Sequence, residues 1–425
     1  RSRPCAVHRH GGPGPLTSAG RRPASRPVTP YLSARREELI RTYRDGLLND
    51  VIPFWLRHGL DPVGGGIWTA LGRRGEVVDS DKSVWFQGRA AWTFANLHNV
   101  VEPRREWLDA ALSCGRFLRD RCAGPSGKLN FTVTAAGDAL RMRRYVYSEC
   151  FAAIGYSALS RATGDSSWAR LSRDAYDSFL RHNQEPGLIP PKVSPGTRPM
   201  RALAPLMMTL VTAQDMREDL GDVTVRGRPL TDWAAWAVGE IARDFVKPEL
   251  RAVMEAVGPE GEVVDHFEGR LLNPGHAIEA SWFIMREAKR ARRDDWMQLG
   301  LDMLRWMWER GWDSEHGGLL YFTDVHGKPV QEYWHHMKFW WPHNEAIIAT
   351  LMAHVITADP VFAEMHRQAH DWAHRHFPDP EHGEWFGYLD RQGRPTTELK
   401  GSMWKGPFHL PRQQLLCWRL LESVR

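Results

Sequence analysis

Gly317-Gly318-Leu319-Leu320-Tyr321-Phe322, continuing through Asp324 to Pro329, lies between two amphipathic stretches at 294–310 and 342–355. One repeat further on, Gly383-Glu384-Trp385-Phe386-Gly387-Tyr388 continues from Asp390 to Pro395 between stretches at 359–376 and 408–423. Gly65-Gly66-Ile67-Trp68, leading to Gly75-Glu76-Val77, occupies the same place between 35–58 and 83–100. Each segment reads as a short apolar strand, a polar turn and a second strand, which is the pattern of a β-hairpin. Residues 127–144 and 261–269 read the same way. The remaining helical stretches pair likewise: 104–120 with 146–163, 166–182 with 200–218, and 228–247 with 274–290. First members start about 62 to 69 residues apart, a longer repeat than a TPR or HEAT unit with the same logic. Six helix pairs, each carrying its long excursion between first and second member, should close into a ring with the excursions on one rim. The expected fold is all-α: an (α/α)6 barrel in a single domain, residues 31–425. An open solenoid would need polar end caps, and the closing stretch QQLLCWRLL is apolar.

Composition narrows the function. The chain has 425 residues, 42% hydrophobic and 25% charged, an ordinary globular balance. Its net charge of +5 invites a nucleic-acid reading, but residues 1–30 hold six arginines and no acid, so the remainder is close to neutral. That opening segment, with six prolines and four glycines, is expected to be a disordered extension. No apolar run is long enough to span a membrane, and no apolar signal core opens the chain. The five cysteines (Cys5, Cys114, Cys122, Cys150, Cys417) form no C-x-x-C pair, which favours a reducing cytoplasm. Twenty tryptophans are several times ordinary usage. Most are expected to fill the core, although indole faces also suit sugar C–H surfaces.

Second members of the pairs begin where the excursions end, so their N-terminal turns should converge around the pore. Three start alike: Asn273-Pro274-Gly275-His276, Trp341-Pro342-His343 and Gly406-Pro407-Phe408-His409. Proline suits the first helical turn, and a histidine follows within two residues. One repeat separates neighbours, so His276 and His409 should flank a central ligand about 120° apart. Glu279, Glu345 and Arg412 lie near the same faces, able to orient a histidine or a substrate. Arg89, about three repeats from His276, suggests an oxyanion clamp opposite a base. Glu149, opening the second inner helix, is a candidate hydroxyl ligand. His316 and His382 fall in Glu-His-Gly turns and read as turn structure. H-E-x-x-H is absent and no helical zinc pair at i, i+4 is expected, so no metal is assigned. No phosphate loop or nucleophile elbow occurs either.

These residues carry a resemblance. DKSVWFQGRAAW (81–92), YSECF (147–151), NPGHAIEASWF (273–283), GWDSEHGGLLYF (311–322), MKFWWPHNEA (337–346), DPEHGEWFGYLDRQGRP (379–395) and KGPFHLPR (405–412) occur in the order of the N-acylglucosamine 2-epimerase (renin-binding protein) family. The chain resembles that family from about residue 36 to its end. The resemblance implies an (α/α)6 barrel, typically homodimeric, that interconverts N-acetyl-D-glucosamine and N-acetyl-D-mannosamine. It makes His276 and His409 the acid/base pair, with Arg89, Glu279, Glu345 and Arg412 in the sugar site; Glu149 and His343 complete the candidate substrate contacts. No cofactor is required for the chemistry, and ATP is an activator of some members. Cellobiose 2-epimerases and aldose–ketose isomerases share the barrel but tend to carry histidine motifs at the third inner helix. Here that place reads Arg198-Pro199-Met200-Arg201-Ala202-Leu203-Ala204-Pro205, closer to the N-acyl enzymes. The rival readings are such an epimerase or isomerase, a glycosidase using Glu279 and Glu345, and a non-catalytic sugar- or protein-binding member. Neither a nucleic acid nor a membrane is an expected partner.

Overall fold

The computed structural model describes residues 29–142, 146–190 and 196–424. Residues 1–28 of the expected extension, with Cys5, lie outside the described residues. The helical fold begins slightly earlier than expected, because the Thr29 hydroxyl caps the first helix by accepting from Leu32 N–H.

Twelve helical rods alternate along the described residues. The odd-numbered ones are amphipathic: α1 (Pro30–Asp45, extended by π-helical and α-helical turns to Gly59), α3 (Arg105–Arg121), α5 (Ser166–Gln184), α7 (Leu230–Glu240), α9 (Asp294–Gly311) and α11 (Pro360–His376). The even-numbered ones are buried along most of their length: α2 (Val84–Val100), α4 (Tyr147–Thr163), α6 (Ala204–Leu220), α8 (Pro274–Ala291), α10 (Trp340–Thr357) and α12 (His409–Ser423). A helix apolar on all sides belongs inside, and one with a single apolar stripe belongs outside. Consecutive inner helices pack on one another along the chain, each packs on the outer helix that follows it, and α12 packs back on α1. At the last seam Thr93 Oγ1 donates to Pro407 O at 2.6 Å and the rings of Trp92 and Phe408 lie 5.2 Å apart. The ring is therefore closed as six inner and six outer helices, the (α/α)6 arrangement read from the periodicity. Glycines set one inner contact: a Cβ at Gly88 would lie 2.5 Å from the Phe151 carbonyl carbon, and one at Gly155 2.7 Å from the Gly88 carbonyl oxygen. Only glycine lets α2 and α4 approach so closely.

The excursions correct the sequence reading in part. Ala70–Leu71 with Val77–Asp79, and Thr132–Val133 with Ala139–Arg141, do pair as hairpins. The fourth excursion pairs Val246–Lys247 with Ala252–Val253 and has no strand over residues 261–269, and Thr224–Val225 pairs with Arg228–Pro229 in the turn before α7. The other named strands pair between repeats. The segment feeding one inner helix joins the next excursion: Lys82–Ser83 with Thr132–Val133, Arg201–Ala202 with Ala256–Val257, Leu271–Leu272 with Thr323–Asp324, and Lys338–Phe339 with Tyr388–Leu389. Leu71 exchanges backbone hydrogen bonds with Lys400 and Gly401, which closes the rim as the helices close the ring. Pairing across repeats ties one excursion to the next along the rim.

A second device recurs in three repeats. Lys82 Nζ reaches Asp61 at 2.6 Å and Gly65 O at 2.8 Å, Lys338 reaches Asp313 at 3.0 Å and Gly318 O at 3.3 Å, and Lys400 reaches Asp379 at 3.1 Å and Gly383 O at 2.6 Å. These buried clasps tie each Gly turn to the segment feeding its own inner helix. His316 and His382 sit in the same turns beside Glu315 and Glu381.

The next backbone N–H of each turn is also taken. Ile67 N–H donates to Gln87 Oε1, Leu129 N–H to Glu149 Oε1, Leu319 N–H to His343 Nε2, each at 2.9 Å, and Trp385 N–H to Glu384 Oε1 at 2.8 Å. Three of these acceptors rise from an inner helix. In the sixth repeat Glu384 replaces the turn glycine in a left-handed conformation (φ 56° against 77° at Gly66 and 73° at Gly318) and supplies the acceptor itself.

One spacing escaped the sequence reading. His366, His370 and His374 stand at i, i+4 and i+8 on α11. They do not form a metal site: Tyr31 Oη meets His366 Nδ1 at 2.6 Å, and Tyr43 Oη lies between His366 Nε2 (3.0 Å) and His370 Nδ1 (2.8 Å). Burial holds the imidazoles of His366 and His374 well below the usual range, at about 3 and about 4. Neutral rings thus dock α1 and seal the ring. Cys114, Cys122, Cys150 and Cys417 are buried free thiols.

Candidate active site

Arg89, Glu279 and Glu345 each lie six residues beyond the N-cap of their helix, in α2, α8 and α10. That shared register turns all three toward the pore. Arg412, from the second turn of α12, meets two of them there. Its Nη2 donates to Glu279 Oε1 and, at 2.7 Å, to Glu345 Oε1. Glu345, fully buried, also accepts from Trp282 Nε1 at 2.8 Å and lies 2.8 Å from His409 Nδ1. Burial pushes the Glu345 carboxyl up, while Arg412 and Trp282 pull it back. With that carboxylate as acceptor, the His409 proton sits on Nδ1 and the Nε2 lone pair is left as the base. Burial first, then the charges of Arg412 and Arg89, push His409 well below its ordinary value, so the ring rests neutral.

His276 is held from elsewhere. Its backbone N–H donates to the Asn273 cap at 3.1 Å, and its Nδ1 lies 2.9 and 3.1 Å from the two oxygens of Glu255. The indole of Trp341 stands between the two imidazoles, with ring centroids 5.0 Å from His276 and 5.8 Å from His409. The two histidines therefore flank a common surface, as their repeat spacing suggested, and each has its own carboxylate. Those carboxylates come from other elements: His276 takes Glu255 and not Glu279, and His409 takes Glu345 from α10.

Arg89 is a buried cation with no ion-pair partner among the described residues. Its guanidinium lies 4.1 Å from the Phe151 ring, 4.9 Å from Phe408 and 5.3 Å from Trp85. Burial, reinforced by Arg412, lowers it to about 9. Glu279 and Glu345 favour the charge only from a distance; a desolvated cation in direct contact with aromatic faces is costly, and an incoming anion or oxyanion would relieve it.

Two expected substrate contacts are not brought to this cluster. His343 is fully buried, accepting from Leu319 N–H, donating from Nδ1 to Phe339 O at 2.6 Å and stacking on Trp372 at 4.8 Å. Its burial drops it to about 3. Glu149 occupies the equivalent pin in its repeat, and burial raises it to about 7. Both side chains point into their own excursions. Arg412 Nη2 is committed to the two glutamates, so this nitrogen of the guanidinium orders the acids beside His409.

Glu279, Glu345 and His409 offer ligand atoms within 4.8 Å of one another. By distance they could hold a metal ion, but Arg412 already bonds both carboxylates, and its fixed charge stands in the cation's place. The sequence reading missed Trp282, Trp341 and Glu255. The first two carried a signal, an indole within a turn of a candidate acid on an inner helix. Glu255 carried none, because its position depends on an inter-repeat strand.

The N-acylglucosamine 2-epimerase family model matches residues 65–409. The N-acylglucosamine 2-epimerase of Bos taurus is 36% identical over 402 residues, covering 92% of this chain and 94% of that relative. That of Homo sapiens is 36% identical over 387 residues, 89% of each. The solved cellobiose 2-epimerase from Bacillus thermoamylovorans superposes with a TM-score of 0.78 at 20% identity, over 91% of this chain and 100% of that one, a likeness of fold. With a family match across most of its length and relatives of such identity, the chain belongs to the N-acylglucosamine 2-epimerase family.

Proposed function

We propose that the enzyme interconverts N-acetyl-D-glucosamine and N-acetyl-D-mannosamine by two-base proton transfer at C2. In the open-chain sugar C2 adjoins the C1 aldehyde, so removing its proton gives an enediolate-like anion. Neutral His409 takes the proton through Nε2 from one epimer, and His276 delivers a proton to the opposite face; the other epimer runs the exchange in reverse. Arg89 faces the developing C1 oxyanion, a contribution worth about 3–4 kcal/mol in comparable sites. Trp341 forms the floor that spaces the two rings. The observation that carries this reading is the pair of imidazoles on either side of one indole, each held at Nδ1 by a separate carboxylate. A glycosidase has no use for that pair, and a simple binder would gain nothing from the unpaired Arg89.

The proton transfers need no cofactor, so ATP is placed as an activator, to be tested by turnover with and without it. The same reading carries a homodimer working in the cytoplasm, which light scattering and fractionation address. Proton NMR in deuterated water with N-acetyl-D-mannosamine tests the activity. The expected product is N-acetyl-D-glucosamine carrying deuterium at C2. Conversion of free mannose to a ketose, with the N-acyl sugar untouched, would move the enzyme to the isomerase branch.

A further inference from the structure

Glu255 stands apart from the clustered acids. It comes from the fourth excursion, not from an inner helix, and its backbone is fixed from both sides. Leu203 N–H donates to Glu255 O at 3.0 Å, Met254 N–H to Phe245 O at 2.9 Å, and the adjoining Ala256 pairs with Ala202. The segment before the third inner helix thereby sets the position of a carboxylate that meets His276 in α8. Side-chain exposure is 21% for Glu255 and 30% for His276, so the pair lies at the open side of the site. The other base is arranged differently. Glu345 divides its charge among Arg412, Trp282 and His409, and an imidazolium on His409 would have the Arg412 guanidinium as a neighbour at 3.4 Å.

We infer that Glu255 is the positioning residue that makes His276 the proton donor of the resting site: it fixes the ring through Nδ1 and supplies the counter-charge of the imidazolium. The inference rests on the two-histidine reading above. An imidazolium on His276 meets, at 2.9 Å, a carboxylate that bonds no other side chain among the described residues, whereas one on His409 meets an anion already neutralised by an arginine. The two rings thus start in opposite protonation states, which a two-base inversion requires: one imidazole accepts the C2 proton as the other gives its own, and no proton is gained or lost overall. Titratable groups beside the pair include Tyr321 next to Glu255 and His409 across Trp341.

The test compares Glu255→Gln, Glu255→Asp and His276→Asn with the intact enzyme. For each, inversion and C2 hydrogen–deuterium exchange are followed from both epimers across pH, with thermal melts as a control on folding. Glu255→Gln should lower kcat by about 10–100-fold with little change in KM. Its alkaline limb should fall by about one pH unit, because an uncharged partner no longer holds the donor protonated. Starting from the epimer that His409 deprotonates, exchange without inversion should rise relative to inversion, since the abstracted proton returns from the same face. Glu255→Asp should recover much of the alkaline limb. A folded Glu255→Gln enzyme with the original pH profile and exchange-to-inversion ratio overturns the inference. If His276→Asn itself still inverts C2, the two-histidine reading falls instead.

Discussion

His343 shares the Pro-His signature of the other two histidines, yet the structure gives it only a supporting task, and replacing it separates the two roles. In the first repeat Gln87 makes the same two bonds: Oε1 accepts from Ile67 N–H at 2.9 Å and Nε2 donates to Ser83 O at 3.2 Å. In the fifth, His343 accepts from Leu319 N–H and donates to Phe339 O. His343→Gln should therefore preserve both bonds and retain full turnover. His343→Ala leaves a buried N–H unmet, at about 1–3 kcal/mol, and removes the stack on Trp372, worth about 0.5–1.5 kcal/mol. Its melting temperature should drop by several degrees, with activity per folded molecule kept. Acid provides a second reading. The folded-state value of about 3 lies below the ordinary 6.5, so the stability held by the neutral ring is present above pH 6.5 and is lost as pH falls toward 3. At pH 5.5 that loss is about 1.4 kcal/mol from this group. Between pH 7.5 and 5.5, denaturant unfolding of His343→Gln should show a loss smaller by about that amount. Collapse of turnover in a well-folded His343→Gln enzyme would refute the assignment.

Three further substitutions probe the same framework. Arg89→Met removes a buried charge without a partner, so the urea midpoint should rise while kcat falls at least about 100-fold; a loss of stability would mean that the guanidinium has a structural partner. Arg412→Ala leaves Glu279 and Glu345 buried without their shared cation, and equilibrium unfolding should report a cost of about 3–5 kcal/mol. Gly88→Ala drives a Cβ into the Phe151 carbonyl carbon at 2.5 Å, where neither backbone can yield; thermal melts should show about 1–3 kcal/mol of destabilisation, with turnover reduced as Arg89 shifts.

The toroid was legible because its periodicity is carried by whole helices: buried and amphipathic rods alternate at a fixed interval, and small errors at their ends do not disturb the count. Arg89, Glu279 and Glu345 were legible for the same reason, since one register places all three. The Pro-His signature was a weaker guide because proline does not mark one helical position here. Pro274 opens α8, Pro342 is the third residue of α10, and Pro407 precedes the cap of α12. His276 thus lies three residues past its cap and His343 four. One residue is about 100° around a helix, enough to swing a ring from the pore into the excursion. Glu149 misled through burial, since a carboxylate at an inner helix start looks alike whether it meets a sugar or the Leu129 amide. Glu255 and the strand pairings were hidden because contacts between repeats leave no local pattern.

In the proposed mechanism two imidazoles act on opposite faces of C2. C2 hydrogen–deuterium exchange, measured from each epimer separately in His409→Asn and His276→Asn, tests it most directly. Neither variant should invert C2, and each should still exchange the hydrogen of one epimer only, a different epimer for each variant. Inversion surviving in either variant, or both epimers exchanging equally in one of them, would contradict that mechanism.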